Sequence, residues 1–139
     1  MTGTTTTAPQ RTTAGTATLH TLQVLGVLSV LSLVCQAVTA GQLFPRGGPV
    51  ELHADGAVVF HVLTGLTAVA AGLHRRATRG PRWPTVLAAL VFVLSFVQAW
   101  FGDRGTLFVH VPGAIVLTIG TVWVAAWTFT SGACRPGHP

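Results

Sequence analysis

Four long apolar stretches lie between Leu22 and Phe129. Asp, Glu, Lys and Arg are absent from 22–40, 85–101 and 106–129, and enter 49–73 only as Glu51 and Asp55 in its first two turns. At 1.5 Å of rise per residue, about 20 such residues cross the hydrocarbon of a bilayer. Lipid offers no hydrogen bonds to the backbone, so each stretch must be a helix. Charged residues make up 8% of the 139, against about 25% in soluble domains. The chain therefore reads as an integral membrane protein. Its net charge of +5 contains no lysine, and its arginines gather beside apolar segments rather than along a soluble face. That pattern excludes a nucleic-acid partner and instead reports topology.

The expected organisation is an all-α membrane protein, a four-transmembrane-helix up-down bundle built from two parallel hairpin repeats. Residues 1–18, rich in Thr, Ala and Gly, are expected to form a disordered cytoplasmic tail. The transmembrane domain covers 19–130, with spans at about 22–40, 49–73, 85–101 and 106–129, and 131–139 forms a second cytoplasmic tail. Val38-Thr39-Ala40 imitates a signal-peptidase site, but the apolar run before it exceeds the roughly 7 to 15 residues of a signal core, so it is kept as the first span. Pro49 and Glu51 suit the opening turn of the second. Arg75, Arg76, Arg79 and Arg82 share the connector between spans two and three. By the positive-inside rule that connector and both termini face the cytoplasm of a cell whose inner (plasma) membrane holds the protein.

Each hairpin then runs outward and returns, and each carries the same polar signature. The first reads Gln36-Ala37, Gly41 and His53-Ala54-Asp55-Gly56-Ala57; the second reads Gln98-Ala99, Gly102 and His110-Val111-Pro112-Gly113-Ala114. An imidazole in lipid is costly and marks a functional position. A pseudo-two-fold axis along the membrane normal would bring His53 and His110 together near the outer face, with Gln36 and Gln98 beside them. Gly56 and Gly113, one turn below the histidines, leave room for a flat ligand. Two neutral imidazoles facing each other across an apolar cavity suit a low-spin iron. The specific expectation is a b-type haem between spans two and four, with His53 and His110 as metal ligands and Gly56, Gly113, Gln36 and Gln98 around it. Such a protein would be an electron carrier or an accessory to a respiratory or haem-handling membrane complex. A second reading stays open: a cofactor-free scaffold or accessory subunit whose Gln and His side chains only tie helices together. A third is a proton-coupled transporter protomer using His61, Asp55 and Glu51.

The remaining polar residues are assigned less. His61 is expected to bond a neighbouring helix, with a ligand or proton-relay role as the alternative. His74 is expected at the interface, and His20 and His138 in or near the tails. Cys35 and Cys134 should lie near opposite faces, with no disulfide between them. Trp83 and Trp100 fit interfacial aromatic belts, and the basic connector suffices as an orientation signal without holding lipid head groups. Small residues at 65, 68, 72, 113 and 120 mark close helix approach, either within one bundle or between the protomers of a homodimer. No phosphate loop, dinucleotide fingerprint or catalytic triad is legible, so no catalytic residue and no enzymatic reaction are expected.

The string Phe96-Val97-Gln98-Ala99-Trp100-Phe101-Gly102, followed by Leu107-Phe108-Val109-His110, resembles one hairpin of haem A synthase. That family is built from two related four-helix halves in which histidine pairs hold haem near the outer face. The resemblance implies that His53 and His110 correspond to the first and second histidines of one half. The whole chain also resembles small uncharacterised four-span bacterial membrane proteins with this hairpin repeat. It has one half only, and it lacks the Glu-x-x-His-Arg motif and the outer-loop cysteine pair, which argues against haem hydroxylation.

Overall fold

The computed structural model describes residues 13–44 and 47–134. Four helices run in order: α1 Thr13–Leu43, α2 Val50–Thr78, α3 Trp83–Asp103 and α4 Leu107–Trp127. A short 3-10 turn, Ser131–Cys134, follows. All four helices are long and apolar enough to cross a membrane. They pack as a closed ring in chain order, α1 on α2, α2 on α3, α3 on α4 and α4 back on α1. Short connections make neighbours antiparallel, and the result is a four-helix bundle.

The helix ends differ from the expected spans. α1 begins at Thr13, inside the stretch expected to be a tail; residues 1–12 lie outside the described residues, as do 135–139. Composition alone points to a tail there. Thr18, however, returns its hydroxyl proton to the carbonyls of Ala14 and Gly15, and Leu19 is buried against the bundle. α2 runs on to Thr78 and stops where Arg79 turns left-handed, at φ 53°. A non-glycine residue in that region ends a helix because the next carbonyls can no longer be reached. Pro49 stands just ahead of α2 as its cap residue rather than inside its first turn. Between α3 and α4 the chain reverses at Gly105, whose φ of 65° suits a residue without a side chain.

The interior has two apolar clusters. Leu22, Ala70, Ala71, Ala88 and Val124 form one, and Phe60, Val91 and Leu117 the other. Large side chains such as Val24, Leu31, Val69 and Ile119 point outward, more than two-fifths exposed. In water this would be inside-out, but in lipid the outer surface needs no polar cover. Small residues set the helix separation. A Cβ on Gly26 would stand 3.3 Å from Ala125, and one on Gly120 would stand 2.8 Å from Val91.

Hydroxyls are buried at Ser29, Thr64, Thr67, Ser95, Thr121 and Thr128. Each donates to a nearby carbonyl in its own stretch of chain, as Ser29 does to Leu25 at 2.8 Å and Thr121 to Leu117 at 2.8 Å. Their protons are thus satisfied locally, and Ser29 and Thr67 touch across α1 and α2 at 3.2 Å. Among the described residues no buried side-chain nitrogen or oxygen lacks a partner.

Candidate functional site: paired histidines at one end of the bundle

The last turns of α1 and α3 and the first turns of α2 and α4 meet at the same end of the bundle. Each hairpin contributes a glutamine from its first helix and a histidine from its second. The His53 and His110 ring centroids lie 6.3 Å apart, with the planes inclined at 68°. Both rings are half-buried. The two histidines expected to meet do meet.

The glycines serve the glutamines. A Cβ on Gly56 would overlap Gln36 Oε1, and one on Gly113 would overlap Gln98 Oε1. Each glutamine amide therefore lies against the bare backbone of the facing helix within its own hairpin. The space beneath the histidines at Gly56 and Gly113, expected to admit a flat ligand, is taken by these amides. A seat of this kind needs glycine because the amide approaches closer than any side chain would allow.

Hydrogen bonds fix the state of each ring. His110 Nδ1 lies 3.0 Å from the main-chain carbonyl oxygen of Gln98. A carbonyl only accepts, so Nδ1 carries the proton and Nε2 of the neutral ring keeps its lone pair. Gln98 also donates from its side-chain Nε2 to the His110 carbonyl. His53 Nδ1 lies 3.0 Å from Thr39 Oγ1. That hydroxyl gives its proton to the carbonyls of Cys35 and Gln36, each at 3.1 Å. It therefore accepts from Nδ1–H, and the His53 Nε2 lone pair is free as well. The Gln36 main-chain carbonyl also bonds the His53 ring, as the Gln98 carbonyl bonds His110, and Thr39 is the extra partner on the first hairpin.

Two contributors have roles that the sequence does not announce. Thr39 looks like part of an apolar run, and the residue at its place in the second hairpin is Phe101. Gly102 belongs to the repeated signature, but its role appears only in the fold. A Cβ there would stand 2.8 Å from His110 Cε1, so glycine lets the ring rest on the end of α3. Gly41 follows Gln36 by five residues where Gly102 follows Gln98 by four, and it has open space around it, so the two hairpins differ at this point. Arg104 lies beyond the site, its guanidinium 3.1 Å over the Trp100 ring.

The other histidines are elsewhere. His61 bonds Ser95 on α3 through Nδ1 at 2.8 Å, the neighbouring-helix bond expected of it. His74 is only 3% exposed, unlike the interfacial position expected for it. Its Nδ1 meets Thr18 Oγ1 at 3.1 Å and its Nε2 donates to the Ala133 carbonyl at 3.1 Å. Trp127 meets the ring edge-on, with centroids 6.1 Å apart. The turn at 131–134 folds over the end of α2, and this is what buries His74. His20 is exposed on α1, and His138 lies outside the described residues. Cys35 is an exposed free thiol.

Among the described residues no three His, Cys, Asp or Glu side chains gather as a metal cage, so the donor set at the paired site is two imidazoles. The fold defines a multi-pass integral membrane protein of four helices. Compared with known families, curated proteins and solved structures, the chain has no significant match to any of them.

Proposed function

We propose that His53 and His110 would hold one b-type haem, and that the protein is a small membrane cytochrome. It would carry electrons or serve a respiratory or haem-handling complex. The observation that carries this reading is the 6.3 Å between ring centroids. Metal–nitrogen distances of about 2.0 Å on either side of one iron put the two ring centres roughly 6 Å apart. The hydrogen bonds support it too. Both Nδ1–H groups are committed to oxygen acceptors, the arrangement that orients a ligating imidazole and raises its basicity.

When bound, the haem would supply a one-electron couple whose potential is set by its ligands and burial. This chain's own residues then divide the remaining work. Thr39 and the Gln98 main chain hold the imidazoles in their ligating tautomer, while Gln36 and Gln98 fix the helix spacing through Gly56 and Gly113. With His53 and His110 both holding the group, the site would favour electron transfer over chemistry on a bound substrate. The resemblance of the second hairpin to haem A synthase points the same way.

A second reading has its own support. Every polar side chain at the site already has a partner within the protein, so Gln36, Gln98 and both histidines could act as interhelical ties of a cofactor-free scaffold. We also propose the orientation that the arginines favour, with the 79–82 connector and both termini cytoplasmic in a bacterial inner membrane, and the two hairpins as a repeat. One absorption spectrum separates the readings. A haem protein purified in detergent is red, and its Soret band is lost in His53→Ala and in His110→Ala. A colourless protein from haem-replete cells, with no Soret band on adding haemin, rejects the haem proposal and leaves the scaffold.

A further inference from the structure

α2 carries another imidazole that the paired site does not use. His61 is eleven residues into α2 from Val50, about 16 Å along the helix and so near the middle of the hydrocarbon. Its Nδ1 lies 2.8 Å from Ser95 Oγ, and that hydroxyl donates its one proton to the Phe92 carbonyl at 2.6 Å. The serine oxygen is therefore the acceptor, Nδ1 carries the proton, and Nε2 is left with a lone pair. Among the described residues Nε2 makes no hydrogen bond. The ring stacks on Phe96 at 4.2 Å and 16°, and Phe96 meets Phe92 edge-on at 5.1 Å. Val58, Val62 and Val93 are exposed on the same two helices.

An imidazole acceptor in hydrocarbon is costly unless a donor reaches it. That donor must dissolve in the bilayer and reach its middle. Phospholipid head groups stay at the interface, about 15 Å away. A second copy of the chain related by a two-fold axis brings another His61 with the same lone pair, which cannot satisfy the first. A phenolic hydroxyl on a lipid-soluble ring meets every requirement. We propose that the α2–α3 face at His61 binds a membrane hydroquinone, one hydroxyl donating to His61 Nε2, the ring among the phenylalanines and the aliphatic tail along the valines. An oxidised quinone has only acceptor oxygens, so the site selects the reduced form. It lies about 12 Å along α2 from His53, beside the proposed haem, but binding itself does not depend on that haem.

The test is anaerobic titration calorimetry of the full chain in detergent, using a decyl-substituted benzohydroquinone and the matching benzoquinone. The hydroquinone is expected to bind about tenfold more tightly, the worth of one hydrogen bond. His61→Phe keeps an aromatic stack and removes the acceptor, so it should abolish that preference while leaving quinone affinity unchanged. Ser95→Ala frees the ring to change tautomer and should narrow the preference; Ser95→Thr should retain it. Equal affinity for the two redox forms in the parent protein, or an undiminished preference in His61→Phe, overturns the proposal. Should His61→Phe fail to fold, the parent's redox preference and the two Ser95 variants decide. Heat of binding is read without any haem signal, so failure here and failure of the haem proposal are separate results.

Discussion

Gln98 and His110 bond each other in both directions across the α3–α4 turn. The glutamine side chain donates to the histidine carbonyl, and the histidine ring donates to the glutamine carbonyl. Gln98→Leu breaks the first bond and leaves the second, because the main chain remains. The expected cost is about 0.5–1.5 kcal/mol, for one lost bond, since the His110 carbonyl keeps its place in the α4 ladder. Unfolding of the detergent-solubilised protein in denaturant measures it. A loss below a few tenths would show that the amide contributes nothing to holding the hairpin.

The glycine seats make a sharper case. Gly113→Ala puts a methyl group where Gln98 Oε1 sits, and overpacking of this kind costs about 1–3 kcal/mol. Trimming the other partner should relieve the clash, so Gln98→Ala with Gly113→Ala is expected to be more stable than Gly113→Ala alone. Gln36 with Gly56 should behave alike. Two double-mutant cycles with coupling near zero would rule out the seats.

His74 predicts an effect at the opposite end. His74→Ala removes a buried ring that joins Thr18 on α1 to Ala133 in the 3-10 turn. The expected loss is about 2–4 kcal/mol, from lost packing and from unpaired groups. Hydrogen exchange should quicken in 131–134 and at the start of α1, while exchange around His53 and His110 stays as it was. Uniform quickening along the chain would mean that the histidine supports the whole bundle rather than its local turn.

Orientation is open to direct mapping. In a Cys35→Ser, Cys134→Ser background, a cysteine placed at Gly80 should react with an impermeant maleimide only after cells are opened. One placed at Asp103 should react in intact cells. The reverse pattern would show that the arginines of the 75–82 region do not set topology here.

The helices are legible because lipid demands both an apolar surface and internally satisfied backbone, and the four runs from Leu22 to Phe129 meet both demands. Their ends are less so. Thr13 to Thr18 has the composition of a tail, yet the Thr18 hydroxyl bonds back to its own helix and Leu19 packs into the bundle. The meeting of His53 and His110 could be anticipated from the matching hairpins. The roles of Thr39 and Gly102 could not, since a hydroxyl or a missing side chain gains its meaning only from the ring it touches. His74 misleads for a similar reason: arginines beside it suggest an interface, and only the fold shows a chain segment lying over it. The seating of Gln36 and Gln98 on Gly56 and Gly113 is not legible either, because one-dimensional spacing cannot say which neighbour lies against a glycine.

Main-chain carbonyls stand behind both rings of the pair, Gln98 behind His110 and Gln36 behind His53. No substitution deletes either oxygen. The Thr39 hydroxyl is an addition on the His53 side alone. Natural variation or protein engineering can therefore trim the basicity of one ring by a side-chain change, but can strip neither ring of its backbone acceptor.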